Sequence, residues 1–283
     1  MSNELDLKAM LTEFGLTEEL SVTPSRFTAW SYLAAIVAPI VVAQNLKIIG
    51  VEGSQGSGKS TLAQAIVDAL STRGVRAAAV SLDDFYLGRA ARAELARDVH
   101  PLLQTRGVPG THDWQRLAET IEAHEQGRAL TIPQFDKGLD DRIDDVRVEC
   151  DCLILEGWCV GVTQQAPDLL ETPVNELEEV DDIDKRWRTW VNDQIPRYEP
   201  IWSHMQFWLQ LRVPSFEQVY LWRGQQERGL PLDQRMSEED LRRFIQHYER
   251  ITRHLWSLPS RSPCLRVELN ANHDLANVVA SHD

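Results

Sequence analysis

Short, almost continuously apolar runs recur along the chain and are followed by stretches with the composition of helices. Five of these runs are predicted to be buried strands: Leu46–Val51, Ala77–Leu82, Cys152–Leu155, Gln206–Leu211 and Leu265–Leu269. Helices are predicted after the first, fourth and fifth runs: Lys59–Ser71, Ser215–Arg228 and Asp274–Ala280. Uninterrupted apolar strands that alternate with helices are typical of a parallel sheet covered on both faces. The pattern therefore predicts an α/β fold.

The most apolar stretch lies near the N-terminus, from Phe27 to Ala43. It is interrupted by polar residues and Pro39, and it is shorter than the roughly 20 residues that a membrane-spanning helix needs. We interpret it as a helix packed on the core, within an N-terminal helical extension over residues 1–45. The first twenty residues lack the basic and apolar segments of a signal peptide, so a cytoplasmic protein with no membrane partner is expected.

Length and charge narrow the class of protein. A chain of 283 residues with 43% hydrophobic and 25% charged residues suits one large α/β domain with a substantial core. No linker composition divides it, so we expect a single domain over residues 1–283. The net charge of −14 argues against a nucleic-acid-binding face, which needs clustered cations to neutralise phosphates. The oligomeric state does not follow from the sequence.

Two charged stretches and the cysteines have less specific interpretations. The acidic stretch Glu171–Asp184 is expected to be a surface excursion, and interspersed acids make Arg89–Arg106 a solvated helix rather than an anion-binding surface. The four cysteines lack the paired spacing of a zinc site or a disulfide framework. The buried thiols expected for a reducing compartment are Cys150, Cys152, Cys159 and Cys264.

The strongest chemical signal is a glycine-rich segment between the first predicted strand and its helix. Residues 53–60, GSQGSGKS, match the pattern G-x-x-x-x-G-K-[ST] without a mismatch. In this pattern, backbone N–H groups and a helix N-terminus surround the phosphates of a nucleotide. We expect Lys59 to reach the β- and γ-phosphates of ATP and Ser60 to bind Mg²⁺. The predicted nucleotide-binding residues are Gly53, Ser54, Gln55, Gly56, Ser57, Gly58, Lys59, Ser60 and Thr61.

Carboxylates follow the second and third predicted strands, at the edge where parallel sheets place their sites. Asp83 and Asp84 close the second strand. A carboxylate there can accept the proton of a hydroxyl that attacks the γ-phosphate, and it can help to hold the metal. Taken alone, the pair would favour a turn with a helix cap, but its position after the glycine-rich segment favours a functional role. Glu156 ends the third strand, so the predicted metal site is Ser60, Asp83 and Glu156.

Further motifs follow in order from about Leu46 to the C-terminus. They are Ser81–Tyr86, Arg106–Asp113, Ile132–Lys137, Leu155–Trp158 with Gly161, Trp222–Glu227 and Met236–Glu239. Together with the P-loop they resemble the D-glycerate 3-kinase family, within the uridine kinase, phosphoribulokinase and pantothenate kinase superfamily. The resemblance implies a P-loop kinase that moves the γ-phosphate of ATP onto D-glycerate. It also implies a five-stranded parallel sheet in the order 2-3-1-4-5 and a lid at about residues 223–237.

The resemblance further implies roles for individual residues. Asp83 occupies the position of the catalytic Asp of the superfamily, and Lys59 lies beside the transferred phosphate. The arginines implied on or beside the lid, with a part in catalysis, are Arg223, Arg228 and Arg235. The residues implied on the acceptor side are Asp84, Tyr86, Arg106, His112, Asp113, Asp136 and Lys137.

Some of these residues have a simpler interpretation. Asp113 precedes a predicted helix, and the roles of N-cap and ligand are equally supported for it. Outside its motif, His112 would be interpreted as a turn histidine. A small hydroxy acid needs a cation for its carboxylate; Arg106 is favoured because arginine binds that group through two hydrogen bonds, and Lys137 is the second candidate.

Two alternatives to a glycerate kinase remain open. The first is a P-loop kinase for uridine, pantothenate or a sugar acid; the charged acceptor segments count against a nucleoside, which needs stacking surface. The second is a non-metabolic NTP-dependent assembly factor; Asp83 and the lid arginines count against it, because they suit transfer with water excluded. The chain departs from the family pattern at Gly138, at Gln246–Arg250 and in the stretch Glu171–Asp184.

Overall fold

A mostly parallel sheet organises the computed structural model, which describes residues 12–14, 29–229, 231 and 235–281. The strands are β1 (Ile48–Gly53), β2 (Ala77–Ser81), β3 (Leu130–Asp136), β4 (Asp141–Val148), β5 (Cys152–Gly157), β6 (Phe207–Arg212), β7 (Cys264–Leu269) and β8 (Leu275–Ser281). Six of them form one sheet in the order β2-β5-β1-β6-β7-β8, while β3 and β4 pair as a separate hairpin. The first five strands of that order are mutually parallel, which confirms the predicted order 2-3-1-4-5.

The sixth strand of the sheet was predicted to be a helix, and that prediction was wrong. β8 runs antiparallel to β7 at the edge of the sheet. The turn between them is closed by the side-chain oxygen of Asn270, which accepts hydrogen bonds from the N–H groups of Asn272 (2.8 Å) and Asp274 (3.0 Å). This turn returns the chain directly along β7, and turn chemistry with strand pairing therefore overrides the helical composition of Asp274–Ala280.

Nine α-helices lie in the described part of the chain. They are α1 (Ala29–Gln44), α2 (Lys59–Ser71), α3 (Arg89–Asp98), α4 (Trp114–Glu125), α5 (Glu176–Val180), α6 (Arg186–Gln194), α7 (Glu199–Trp202), α8 (Phe216–Arg228) and α9 (Glu238–Ser257). Short 3₁₀ turns lie at Leu82–Phe85, Pro101–Gln104, Pro167–Leu170 and Ile195–Arg197. The helices predicted after the first and fourth strands are confirmed as α2 and α8.

Helices cover both faces of the sheet because the strand side chains alternate between two apolar layers. Along β5, Cys152 and Ile154 face one layer, whereas Leu153 and Leu155 face the other. The first layer includes side chains of α1, α2 and α8, and the second includes those of α4, α6 and α7. Every residue of β1 and β5 is buried. The apolar strands are therefore covered on both sides, as predicted.

The apolar N-terminal stretch forms α1 and packs on the core as predicted. Its residues Leu33, Ile36, Val37 and Ile40 are fully buried in the first layer. Among the described helices, none has the length and apolar character to cross a bilayer. Apart from residues 12–14, the part of the predicted extension before Ala29 lies outside the described residues.

The acidic stretch Glu171–Asp184 is more buried than predicted. Glu178 and Asp182 are 1% and 0% exposed, and they pair with Arg250 (2.5 Å) and Arg188 (2.8 Å). Each arginine also donates to backbone carbonyl groups, so the buried charges are compensated inside the protein. The prediction of a surface excursion was wrong for these residues, because charge along a sequence does not show which acids have buried partners.

Candidate active site

The loop between β1 and α2 has the backbone shape of a phosphate-binding turn. Gly56 and Gly58 have φ angles of +75° and +90°, a region that side-chain-bearing residues rarely adopt. A Cβ atom at Gly58 would lie 2.4 Å from the ring of Trp30, so only glycine fits there. Lys59 begins α2, and its ammonium group donates to the carbonyl of Ser54 at 3.1 Å. The ammonium group and the N-terminus of α2 together provide a site for an anion.

Polar side chains of the same loop fit a bound phosphate. Ser54 and Ser57 are 2% and 0% exposed, and their hydroxyl groups have no hydrogen-bond partner among the described residues. Leaving a buried polar group unpaired costs about 1–3 kcal/mol, and phosphate oxygens would supply the missing acceptors. Gln55 lies between these serines, Gly53 ends β1, and Ser60 and Thr61 continue α2. The predicted nucleotide-binding residues therefore share one loop that fits the phosphates of a nucleotide.

Two of the predicted metal ligands, Ser60 and Glu156, are in direct contact at the carboxyl end of β5. The Ser60 hydroxyl donates to Oε1 of Glu156 at 2.7 Å, and Glu156 is 5% exposed. Asp83 lies close enough for the Lys59 ammonium to act on its carboxylate. Hydroxyl and carboxylate oxygens are the ligands that Mg²⁺ prefers, so this donor set fits a magnesium ion.

Asp83 is held by two short hydrogen bonds. Its Oδ1 accepts from the hydroxyl of Tyr86 and its Oδ2 accepts from the ammonium of Lys137, both at 2.6 Å. Burial acts to raise the pKa of Asp83, but the Lys137 ammonium and the Tyr86 hydroxyl outweigh it and hold the pKa below its ordinary value. Asp83 is therefore ionised, and both of its oxygens accept a hydrogen bond within the protein.

Asp84 titrates very differently from its neighbour. Burial raises the pKa of Asp84 to about 6, against a hydrogen bond from the backbone of Phe135 that acts to lower it. The charges of Asp83 and Glu156 add to the upward shift. Adjacent carboxyl groups with separated pKa values can hold different protonation states near neutral pH, which is typical of acid–base sites.

Arg106 lies in a cationic group built around a single carboxylate. Its guanidinium pairs with Asp140, which also pairs with Arg92 at 2.8 Å. Both guanidinium groups lie over the ring of Phe135, 5.5 and 5.9 Å from its centre. Two cations share one anion, so the group retains a net positive charge. Arg92 is 1% exposed, which corrects the prediction of a solvated helix: α3 directs this arginine inward, where it also donates to backbone carbonyl groups.

His112 lies in an aromatic wall next to Asp83. Its ring stacks on Tyr86 with centroids 4.9 Å apart, and its Nδ1 lies 3.2 Å from the hydroxyl of Tyr198. His112 is 2% exposed, and its Nε2 has no hydrogen-bond partner among the described residues. Burial lowers the pKa of His112 to about 4, against the opposing charge of Asp83, so the ring is neutral at physiological pH.

Two carboxylates of the predicted acceptor set already have structural partners. Asp113 caps α4 through a hydrogen bond from the N–H of Arg116 (3.1 Å), and it pairs with Arg142 at 3.0 Å. The N-cap alternative is therefore the one that the structure supports for Asp113. Asp136 accepts hydrogen bonds from two backbone N–H groups in the turn between β3 and β4. A contact of either residue with the acceptor remains a prediction.

The predicted lid at residues 223–237 is described only in part, because residues 230 and 232–234 lie outside the described residues. Arg223 forms an ion pair with Glu227, one turn further along α8. Arg235 donates to the carbonyl of Arg228 at 2.6 Å. Arg223 and Arg228 therefore lie in α8, Arg235 lies seven residues beyond its end, and the role of all three over the phosphates remains a prediction.

Sequence reasoning missed three residues that contact the motifs carrying the predicted acceptor set: Arg92, Asp140 and Tyr198. Arg92 looked like one of many surface charges in a basic stretch. Asp140 has a φ angle of +55° in the hairpin turn, a backbone conformation that aspartate tolerates better than most residues, but no motif identified it. Tyr198 lies 86 residues from its partner His112 and outside every recognised motif, so the sequence carried no signal for it.

Comparisons with known proteins agree with this geometry. The sequence profile of the Phosphoribulokinase / Uridine kinase family matches residues 48–219. An uncharacterized kinase of Schizosaccharomyces pombe, mug58, is 34% identical over 223 residues, which cover 71% of this chain and 78% of that protein. The chloroplastic D-glycerate 3-kinase of Arabidopsis thaliana is 30% identical over 220 residues, which cover 71% of this chain and 46% of the plant protein.

A solved structure extends the likeness to the fold. The structure of D-glycerate 3-kinase from Cryptococcus neoformans var. grubii superposes with a TM-score of 0.76 and 25% sequence identity. The match covers 88% of this chain and 99% of that one. The predicted family resemblance is thereby confirmed in sequence and in fold.

Proposed function

The chain belongs to the phosphoribulokinase/uridine kinase family, and we propose that it phosphorylates D-glycerate to 3-phospho-D-glycerate with ATP. The match to this family and to its kinase members identifies the chain as a P-loop kinase that transfers phosphate to a hydroxyl group of a small molecule. The identity of the acceptor and the roles of individual residues are the proposal. The observation that carries it is the cationic group around Arg106.

A net positive charge on the acceptor side suits a small carboxylic acid. Arg106 and Arg92 share the single charge of Asp140, and Arg106 retains guanidinium N–H groups beyond the one that Asp140 occupies. The chain as a whole carries a net charge of −14, so a local excess of cations in this place favours an anionic ligand. A planar guanidinium binds a carboxylate through two parallel hydrogen bonds, which also fixes the orientation of the acid.

The cation Arg106 and the proposed base Asp83 both lie near the buried phenol of Tyr86. Burial raises the pKa of Tyr86 well above its ordinary value, the charge of Asp83 adds to the rise, and Arg106 opposes it. Tyr86 therefore lies within electrostatic reach of both Asp83 and Arg106. A hydroxy acid with its hydroxyl at Asp83 and its carboxylate at Arg106 would therefore lie beside Tyr86.

In the proposed reaction, Asp83 accepts the proton of the acceptor's primary hydroxyl as the hydroxyl oxygen attacks the γ-phosphorus of ATP; the bond from that phosphorus to the β–γ bridging oxygen breaks, and ADP leaves. Lys137 is 61% exposed at the hairpin turn, so its ammonium can move from Asp83 to the carboxylate of the arriving acid. This exchange frees Asp83 as a proton acceptor only when an anionic acceptor is present. Lys59 stabilises the negative charge on the transferred phosphate.

Mg²⁺ would be held by Ser60, Asp83 and Glu156, and when bound it neutralises charge on the β- and γ-phosphates. The hydrogen bond between Ser60 and Glu156 keeps two of these ligands together at the end of β5. We also propose a reducing, cytoplasmic location, because all four cysteines are unpaired thiols and three of them are buried.

An acceptor panel tests the proposal directly. ADP release is measured with ATP and Mg²⁺ alone and then with millimolar D-glycerate, uridine, pantothenate or a sugar acid, and Lys59→Ala gives the background. We expect D-glycerate to stimulate ADP release far more than the other compounds do. ADP release that is independent of every acceptor would contradict the kinase proposal and favour an NTP-dependent assembly factor. If only a sugar acid stimulates ADP release, that acid and not glycerate is the substrate.

A further inference from the structure

The hydroxyl of Tyr198 forms its hydrogen bonds with the loop that carries His112. Its oxygen accepts a hydrogen bond from the N–H of Gly110 at 2.9 Å, and it lies 3.2 Å from Nδ1 of His112. The backbone of His112 also acts on the same oxygen. Tyr198 is 1% exposed, so each of these groups must find its partner inside the protein.

This arrangement determines which nitrogen of His112 carries the proton. The phenol oxygen of Tyr198 already accepts a hydrogen bond from the backbone N–H of Gly110. Among the hydrogen bonds of the described residues, the only acceptor for the phenol hydrogen is Nδ1 of His112. A neutral imidazole has one N–H group and one acceptor nitrogen. If Nδ1 accepts from Tyr198, the proton of His112 must be on Nε2.

The N–H group at Nε2 is then a buried donor without a partner. Nε2 has no hydrogen-bond partner in the described part of the chain, although His112 is 2% exposed. Tyr86 links this ring to the proposed base, because it stacks on His112 and donates a hydrogen bond to Asp83, whose charge acts on the ring. A donor held in one orientation beside the base fits an oxygen atom of the acceptor, and the same donor has no such use in a purely structural turn.

Neighbouring contacts keep the ring in this orientation. Tyr86 stacks on one face of His112 and Tyr198 meets it edge-on, with centroids 4.9 and 5.8 Å away. Gly110 has a φ angle of +93°, and a Cβ atom there would lie 2.5 Å from Trp190, so the loop cannot shift away from α6 without losing this packing.

From these contacts we propose that Tyr198 is a positioning residue of the acceptor site, which fixes His112 as the Nε2–H tautomer so that it donates to an oxygen of the acceptor acid. The inference rests on the proposed function only for the identity of that acid. It predicts a role for a residue that lies outside every motif of the sequence.

The test compares Tyr198→Phe with the wild type by two independent readouts. The substitution removes one oxygen atom and leaves the ring that stacks on Trp202. We expect the KM for the acceptor to rise about 10-fold or more, the effect of weakening a hydrogen bond to a charged ligand, while the KM for ATP stays within about twofold. Tyr220→Phe is the matched control, because Tyr220 of α8 packs in the first apolar layer, whereas Tyr198 packs in the second.

Nitrogen NMR of protein with labelled histidine provides the second readout. The signals of His112 are identified by their absence from a His112→Gln variant, which retains an N–H donor and should keep more acceptor affinity than His112→Ala. Wild-type protein should show Nε2 protonated and Nδ1 unprotonated, and Tyr198→Phe should lose this single tautomer. The wild-type spectrum is informative even if the variant fails to fold.

A wild-type His112 protonated at Nδ1 would overturn the inference. So would a folded Tyr198→Phe protein with the wild-type tautomer and the wild-type KM for its acceptor. Neither result depends on glycerate, because the tautomer is measured without substrate and the KM can be measured with whichever acid stimulates ADP release. A failure of glycerate as substrate would therefore leave this test intact.

Discussion

Replacing Arg106 with alanine should weaken binding of the acceptor and leave ATP binding almost unchanged. Arg106 is 19% exposed, so part of its interaction with a carboxylate is screened by solvent. A hydrogen bond to a charged group contributes about 1.5–3 kcal/mol. Since about 1.4 kcal/mol corresponds to a factor of ten, the KM for D-glycerate should rise by about 10- to 100-fold.

The fold should tolerate this change because Asp140 keeps its second arginine. Arg92 remains 2.8 Å from Asp140, so the substitution leaves no buried charge unpaired. The loss of the contact between Arg106 and the ring of Phe135 should cost about 0.5–1 kcal/mol, which is a small shift of the melting temperature.

Steady-state kinetics with each substrate varied in turn provide the assay. Arg106→Lys keeps the charge but loses the planar pair of donors, so its KM for glycerate should lie between wild type and Arg106→Ala. Arg97→Ala is the matched control, because Arg97 pairs with Asp98 on the exposed side of α3. An unchanged KM for glycerate in a folded Arg106→Ala protein would refute the assignment of Arg106 to the carboxylate.

Three further predictions test the phosphate and base assignments. Lys59→Ala should lower kcat by about 10²-fold or more, since it removes the cation beside the transferred phosphate; near-normal turnover would contradict this. Asp83→Asn should keep ATP binding and lower turnover by about 10²- to 10⁴-fold. If Asp84→Asn instead loses turnover while Asp83→Asn stays active, Asp84 is the base. The pKa of Asp84 is raised to about 6 in the folded protein. Its protonation therefore stabilises the fold fully below the ordinary pKa of aspartate, and this stabilisation is lost as the pH rises through about 6. Asp84→Asn should therefore raise the melting temperature more at about pH 8 than at about pH 4, and an equal shift at both would count against the buried acid.

Local features of the fold and site could be predicted, because short sequence patterns determine them. The P-loop requires glycine at positions with positive φ and a lysine at the start of a helix, and each requirement is visible in residues 53–60. The buried parallel strands were equally visible as apolar runs. Asp83 and Glu156 could be placed together because parallel strands bring their carboxyl ends to one edge of the sheet.

Features that depend on distant partners could not be predicted. Asp140 lies 34 residues from Arg106, and Tyr198 lies 86 residues from His112, so neither pairing leaves a periodic or local signal. The edge strand β8 was mistaken for a helix because its conformation depends on pairing with β7. Glu178 was mistaken for a surface charge for the same reason, because its partner Arg250 lies 72 residues further along the chain.

Phosphorus NMR of the complete reaction with ATP, Mg²⁺ and D-glycerate tests the central claim most directly. Phosphate on the primary carbon of glycerate couples to two protons and gives a triplet, phosphate on the secondary carbon gives a doublet, and inorganic phosphate gives a singlet. The account predicts a phosphate monoester triplet, separate from the phosphorus signals of ATP and ADP, that grows in step with ADP and does not appear with the Lys59→Ala protein. A singlet alone would show hydrolysis without transfer and would contradict the assignment of this chain as a glycerate kinase.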